Sequence, residues 1–144
     1  VGVSKGTKLP AALYRWRVDT PRNGRTTMNW VISGTWGPTD PTRAMLPFLF
    51  AASAVQAGDS VTLMLFHDAV LMAVEGVGKT LVPVGPPNRY EEIAGNSKVT
   101  LWACKPCVEA RGLAATSLDR RVKLGGMNDF HAAAKAPDAK VVSF

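Results

Sequence analysis

The chain has 144 residues, 47% of them hydrophobic, enough to bury one core of the size usual for a single domain. Its longest apolar runs, residues 45–55 and 61–66, fall well short of the ~20 residues that cross a bilayer, so no membrane partner is expected. A net charge of +6 would suggest nucleic acid as a partner, but residues 1–27 hold six basic side chains against Asp19 alone, and the remainder is nearly balanced.

Residues 1–27 therefore read as a basic N-terminal arm, disordered or lying upstream of a natural start at Met28. The arm lacks the apolar stretch of about 7–15 residues found in secretory signals. Pro10, Pro21 and Gly24 would interrupt an amphipathic transit helix. A cytoplasmic location is expected, and residues 28–144 read as one α/β domain without a basic stripe for nucleic acid.

Residues 29–33 (Asn-Trp-Val-Ile-Ser) predict a short buried strand ending at Gly34. Thr39 or Asp40 can cap a following helix with Pro41 at its first position, and Gly58 stops it. That helix is apolar nearly all round, which predicts burial against both the sheet and a neighbouring subunit. Residues 60–67 are almost continuously apolar, the pattern of a central parallel strand buried on both faces.

Asp68 is then expected to cap a short helix over residues 69–74. A Gly- and Pro-rich loop follows over 75–88, with an extended piece at 80–84. A modest helix over 89–94 precedes a third strand at 98–103. The rest reads as a helix from about Pro106 to Arg111, a helix end or short strand within 118–124, a helix over 128–136 and a last strand over 139–144. Alternation of this kind predicts an α/β fold with a mostly parallel sheet of about five strands and helices on both faces.

In such sheets the loops after the carboxyl ends of strands line the binding crevice. Four of them carry the polar chemistry: residues 34–40, His67-Asp68, residues 104–107, and Gly125-Gly126. The segment Cys104-Lys105-Pro106-Cys107 stands where a strand passes into a helix. The helix dipole, its free N–H groups and Lys105 would then favour a thiolate at Cys104. Cys107, one turn on, can resolve a mixed disulfide, pair with Cys104, or simply pack.

Zinc would need four ligands, and only His67 and His131 could join the two cysteines, so no metal is expected. The stretch from Trp102 to Cys107 is similar to the thioredoxin redox motif, but it lies late in the chain and holds an extra residue between Trp102 and Cys104. A buried, inert pair is the plain alternative. Around the pair, His67 could tune Cys104 or merely satisfy its own hydrogen bonds. Arg111 could bind an anionic sulfur species or only compensate a helix end. No G-x-G-x-x-G or P-loop pattern is present, and no cofactor is expected.

Three segments in this order resemble the DsrE/DsrF-like family, which includes the sulfur-relay subunits TusD and DsrE: Asp40-Pro41-Thr42-Arg43-Ala44, His67-Asp68-Ala69-Val70, and Cys104-x-x-Cys107-x-x-x-Arg111-Gly112. The resemblance covers residues 28–144. It implies a three-layer, flavodoxin-like α/β fold, assembly into homo-trimers or hexamers, exchange with sulfur donor and acceptor proteins, and a cysteine persulfide at the position eight before the glycine, here Cys104. Cys107 departs from the single-cysteine relay pattern. A dithiol oxidoreductase and a non-catalytic oligomeric scaffold of the same fold remain as alternative functions.

Overall fold

The computed structural model describes residues 26–144; the basic arm, apart from its last two residues, lies outside them. The elements run β1 (Asn29–Gly34), α1 (Pro41–Gln56), β2 (Ser60–Leu65), a 3-10 helix (His67–Ala73), α2 (Val77–Thr80) and α3 (Tyr90–Ala94). They continue with β3 (Val99–Cys104), α4 (Lys105–Ala110), a 3-10 turn (Ala115–Ser117), β4 (Lys123–Gly125), α5 (Met127–Ala134) and β5 (Ala139–Ser143). The five strands form one sheet in the order β4-β3-β2-β1-β5, and every pairing is parallel. This is the parallel α/β sheet that the alternation predicted, in the three-layer, flavodoxin-like architecture that the family resemblance implied.

The strand order follows two rules. From β1 to β4 the chain steps one strand at a time in one direction, so right-handed crossovers place the intervening helices on one face. From β4 it returns across the whole sheet to β5, which puts α5 on the opposite face, packed against β5 and β1.

Between α1 and the sheet lies the main core. Alternate strand residues Ile32, Leu63, Leu65, Leu101 and Ala103 meet Met45, Phe48 and Ala51 of α1, with Tyr90 and Ile93 of α3 alongside. Burying each of the larger side chains contributes about 1.5–3 kcal/mol. Val31 and Met64, one residue out of phase, are fully buried on the other face.

The start of α1 follows the sequence reading: Asp40 caps it by accepting the Arg43 N–H at 3.0 Å, with Pro41 in the first turn. Trp30 packs edge-on against Phe50 at 4.9 Å. Its indole N–H donates to the buried Asp59 carboxylate at 3.0 Å, and the Met28 N–H donates to the other oxygen, so Asp59 pins the entrance of β1.

Two local expectations are corrected and a third is narrowed. The extended piece expected over residues 80–84 forms no strand, because α2 takes in Thr80 and the chain then passes into irregular coil. Residues 67–73 wind as a 3-10 helix, and Asp68 does not cap it, because its carboxylate is drawn away to Arg111. The 118–124 segment resolves into a short β4 that begins only at Lys123.

Candidate dithiol site

Parallel register brings the carboxyl ends of four strands to one edge of the domain. Gly34 pairs with Leu65, Leu65 with Ala103, and Cys104 with Gly125. After β3 the chain turns onto the α1 face and after β4 onto the α5 face, so the sheet's switch point lies between Cys104 and Gly125. At Gly125 a Cβ would stand 2.5 Å from the Trp102 ring and 2.8 Å from the Asp129 carboxylate, so only glycine fits opposite this strand end.

Five of the six residues singled out in sequence meet here. His67 is the only non-glycine among the described residues with a left-handed backbone, at φ 50°. That conformation is uncommon for a residue carrying a Cβ. Its effect is to aim the His67 main-chain N–H at the Cys107 sulfur, 3.3 Å away.

Asp68, the next residue, accepts from Arg111 Nε at 3.1 Å and Nη2 at 2.5 Å. Arg111 Nη1 donates back to the Cys107 carbonyl at 3.1 Å. This hydrogen bonding, more than any other influence, holds the Asp68 carboxyl below its usual range. Arg111 is thus no solvated helix end; it ties α4 to the turn after β2. The His67 imidazole is largely exposed, with Nδ1 3.6 Å from Asp68 Oδ1.

The two sulfurs differ in setting. Cys104 is buried, with 6% of its surface exposed, whereas Cys107 is half-buried, and both are free thiols. The two lie one helical turn apart, close enough for Cys107 to bear on the Cys104 thiol. The expected thiolate at Cys104 is not what this environment favours. Burial first, and then the neighbouring Cys107 thiol, push the Cys104 thiol above its ordinary range, and the Cys107 main chain only partly offsets them.

The reason is visible in α4, which spans six residues and offers little dipole. Lys105 lies apart from the sulfurs, exposed and 3.8 Å from Glu109. Beside the thiols, Thr35, Trp36, His67 and Asp68 line a cavity of about 240 Å³. The loop that supplies Trp36 approaches closely: a Cβ on Gly37 would stand 2.5 Å from the Asp68 carbonyl. Arg43 lies over the Trp36 ring, 4.4 Å from its centre.

Sequence reasoning missed the His67 amide, because a left-handed φ leaves no trace unless glycine or asparagine occupies the position. It also missed a buried brace on the α3 side. There Asp119 accepts from Arg121 and from the Tyr90 hydroxyl at 3.2 Å, and Arg121 also holds Glu91 with two 3.0 Å bonds. The larger cavity there, about 470 Å³, is lined by Glu75, Lys79, Glu91, Asp119, Arg120 and Arg121, none of them near the thiols in sequence. Among the described residues no helix is long and apolar enough to cross a membrane. No group of three or more His, Cys, Asp or Glu side chains there is placed to hold a metal ion.

Comparison with known proteins identifies the family and similar folds. The DsrE/DsrF-like family matches residues 28–144, and the chain belongs to that family. Similar folds include the crystal structure of the ychN protein from E. coli, with TM-score 0.60 and 20% identity. Another is the MTH1491 protein of unknown function from Methanobacterium thermoautotrophicum, with TM-score 0.56 and 10% identity. Each alignment covers 83% of this chain and all of the other. A search of curated proteins finds no significant relative.

Proposed function

We propose that this DsrE/DsrF-like protein is a sulfur-relay or sulfurtransferase-type protein that carries sulfane sulfur as a persulfide on Cys104. The observation that carries the reading is the pair of free, neighbouring thiols at the switch point of the sheet, one buried and one half-buried. A persulfide in transit must be kept from stray thiols and oxidants, and access is a main determinant of thiol exchange. The cover over Cys104 provides that protection. The Asp68–Arg111 pair fixes α4, and with it the spacing of the sulfurs, against the turn after β2.

Dithiol oxidoreductase chemistry with Cys104 as the attacking thiol is less well served. It needs an attacking thiolate near neutral pH, and burial of Cys104 works against one. The working unit we propose is a homo-oligomer, trimer or hexamer, in a reducing compartment. Leu46, Val82 and Val84, exposed on α1 and the loop after α2, favour such assembly. Light scattering on the purified protein reads the subunit number directly.

The functional test is incubation of the reduced protein with a persulfide donor, followed by intact-mass measurement and peptide mapping. The expected product carries one additional sulfur, mapped at completion to Cys104 and absent when both cysteines are changed to serine. A wild-type protein that gains no sulfur refutes the reading.

A further inference from the structure

Resting on that reading, we infer that Cys107 is the first acceptor and Cys104 the second, so that sulfur enters at the surface thiol and is handed inward. Three observations order the two sulfurs. Cys107 is the half-buried member of the pair, while Cys104 is closed off. A donor persulfide on another molecule can approach only the thiol that reaches the surface.

A fixed donor points at the Cys107 sulfur, the His67 N–H at 3.3 Å. Donors fixed on a sulfur support the negative charge that it carries as nucleophile or leaving group. The Asp68–Arg111–Cys107 linkage then holds the first turn of α4 in register with the His67 amide, so the donor stays in place through both steps.

The chemistry balances without an outside oxidant or reductant. In the first step the Cys107 thiolate attacks the terminal sulfur of the donor persulfide. A new S–S bond forms, the donor's S–S bond breaks, the donor leaves as a thiolate, and Cys107 becomes the persulfide. In the second step the Cys104 sulfur attacks that same terminal sulfur. The bond to Cys107 breaks, Cys107 departs as a thiolate under the His67 N–H, and the proton released by Cys104 passes to it. Cys104 is left as the persulfide and Cys107 as a thiol, ready for another donor or for return of the sulfur to an acceptor.

This order separates inward transfer from the competing attack of Cys104 on the inner sulfur of the Cys107 persulfide. That route would expel hydrosulfide and leave a Cys104–Cys107 disulfide, ending the relay after one turnover.

The test uses the intact chain with glutathione persulfide as the donor, quenched at intervals with an alkylating agent and mapped by peptide mass. In the wild type the added sulfur should be found first on Cys107 and later on Cys104. Cys107→Ser should load at least about tenfold more slowly, since the covered thiol must then meet the donor itself. Cys104→Ser should still gain one sulfur, retained on Cys107 and open to alkylation.

Circular dichroism establishes that both variants are folded, and the wild-type time course needs no variant. Early labelling on Cys104, undiminished loading of Cys107→Ser, or stoichiometric sulfide release with disulfide formation overturns the proposed order while leaving persulfide chemistry intact. No loading of the wild type at all overturns the persulfide reading and the order together.

Discussion

Asp119→Asn tests whether the brace beside α3 supports the site through the connection that leads into β4. The Asp119 side chain is only 5% exposed. It accepts from the Tyr90 hydroxyl, from Arg121 Nε and from the Arg121 main-chain N–H, while its own N–H donates to the Ala73 carbonyl at 2.8 Å. Arg121, ahead of every other influence, holds the Asp119 carboxyl down to about 2.

Against an unfolded value near ~3.9, that depression stabilises the fold by roughly 2–3 kcal/mol at neutral pH. Arg121 is one-third exposed and partly screened by water, so about 2 kcal/mol is the figure to test. The sign follows from the depressed value: the contribution is complete well above the unfolded value and is lost as pH falls through about 2. Urea unfolding of Asp119→Asn should therefore show a loss of about 2 kcal/mol at pH 7 that has mostly disappeared by about pH 2. A loss below about 0.5 kcal/mol, or one that is the same at both pH values, refutes the reasoning.

Three further outcomes follow from the site. Alkylation of Cys104 in the folded wild type should keep rising as pH passes ~8.5, because burial holds its thiol above the ordinary range; a rate that levels off near neutrality contradicts this. Gly125→Ala should destabilise the fold by about 1–3 kcal/mol in urea titration, since the new methyl meets the Trp102 ring and the Asp129 carboxylate, and an unchanged midpoint would show that β4 can shift. His67→Gly should retain sulfur loading because it keeps the amide and relaxes the backbone, whereas His67→Val should cost about 1–2 kcal/mol and slow loading; equal loading by the two variants would remove the amide from the mechanism.

Much of the molecule was legible because its signals are local. Asp40-Pro41 and Gly58 mark the ends of α1, and the unbroken apolar run of β2 marks a strand covered on both faces. Even the site was readable as a set of strand ends, since parallel strands must deliver their following loops to one edge. Strand order was not legible: alternation of strands and helices is equally compatible with other orders, and only the return from β4 to β5 decides this one. The state of Cys104 was not legible either, because it depends on how completely the neighbouring elements cover one sulfur, a property of packing rather than of the motif. The brace at Asp119 joins residues about thirty positions apart, with no periodicity to announce it.

These unreadable features share an origin with the chemistry. Because the chain reverses only once, the helix after β3 and the helix after β4 leave on opposite faces, and the opening between them falls at Cys104 and Gly125. The turn after β2, one strand away, closes over that opening with the His67 amide and the Asp68–Arg111 pair. Burial of Cys104 and partial exposure of Cys107 are therefore consequences of topology: the first sulfur ends the strand, and the second lies on the outer turn of the helix that leaves it. Two thiols on one side of a turn would serve equally in many proteins. In the proposed relay, this pair takes its direction from a fold that covers one sulfur and leaves the other partly exposed beneath the His67 N–H.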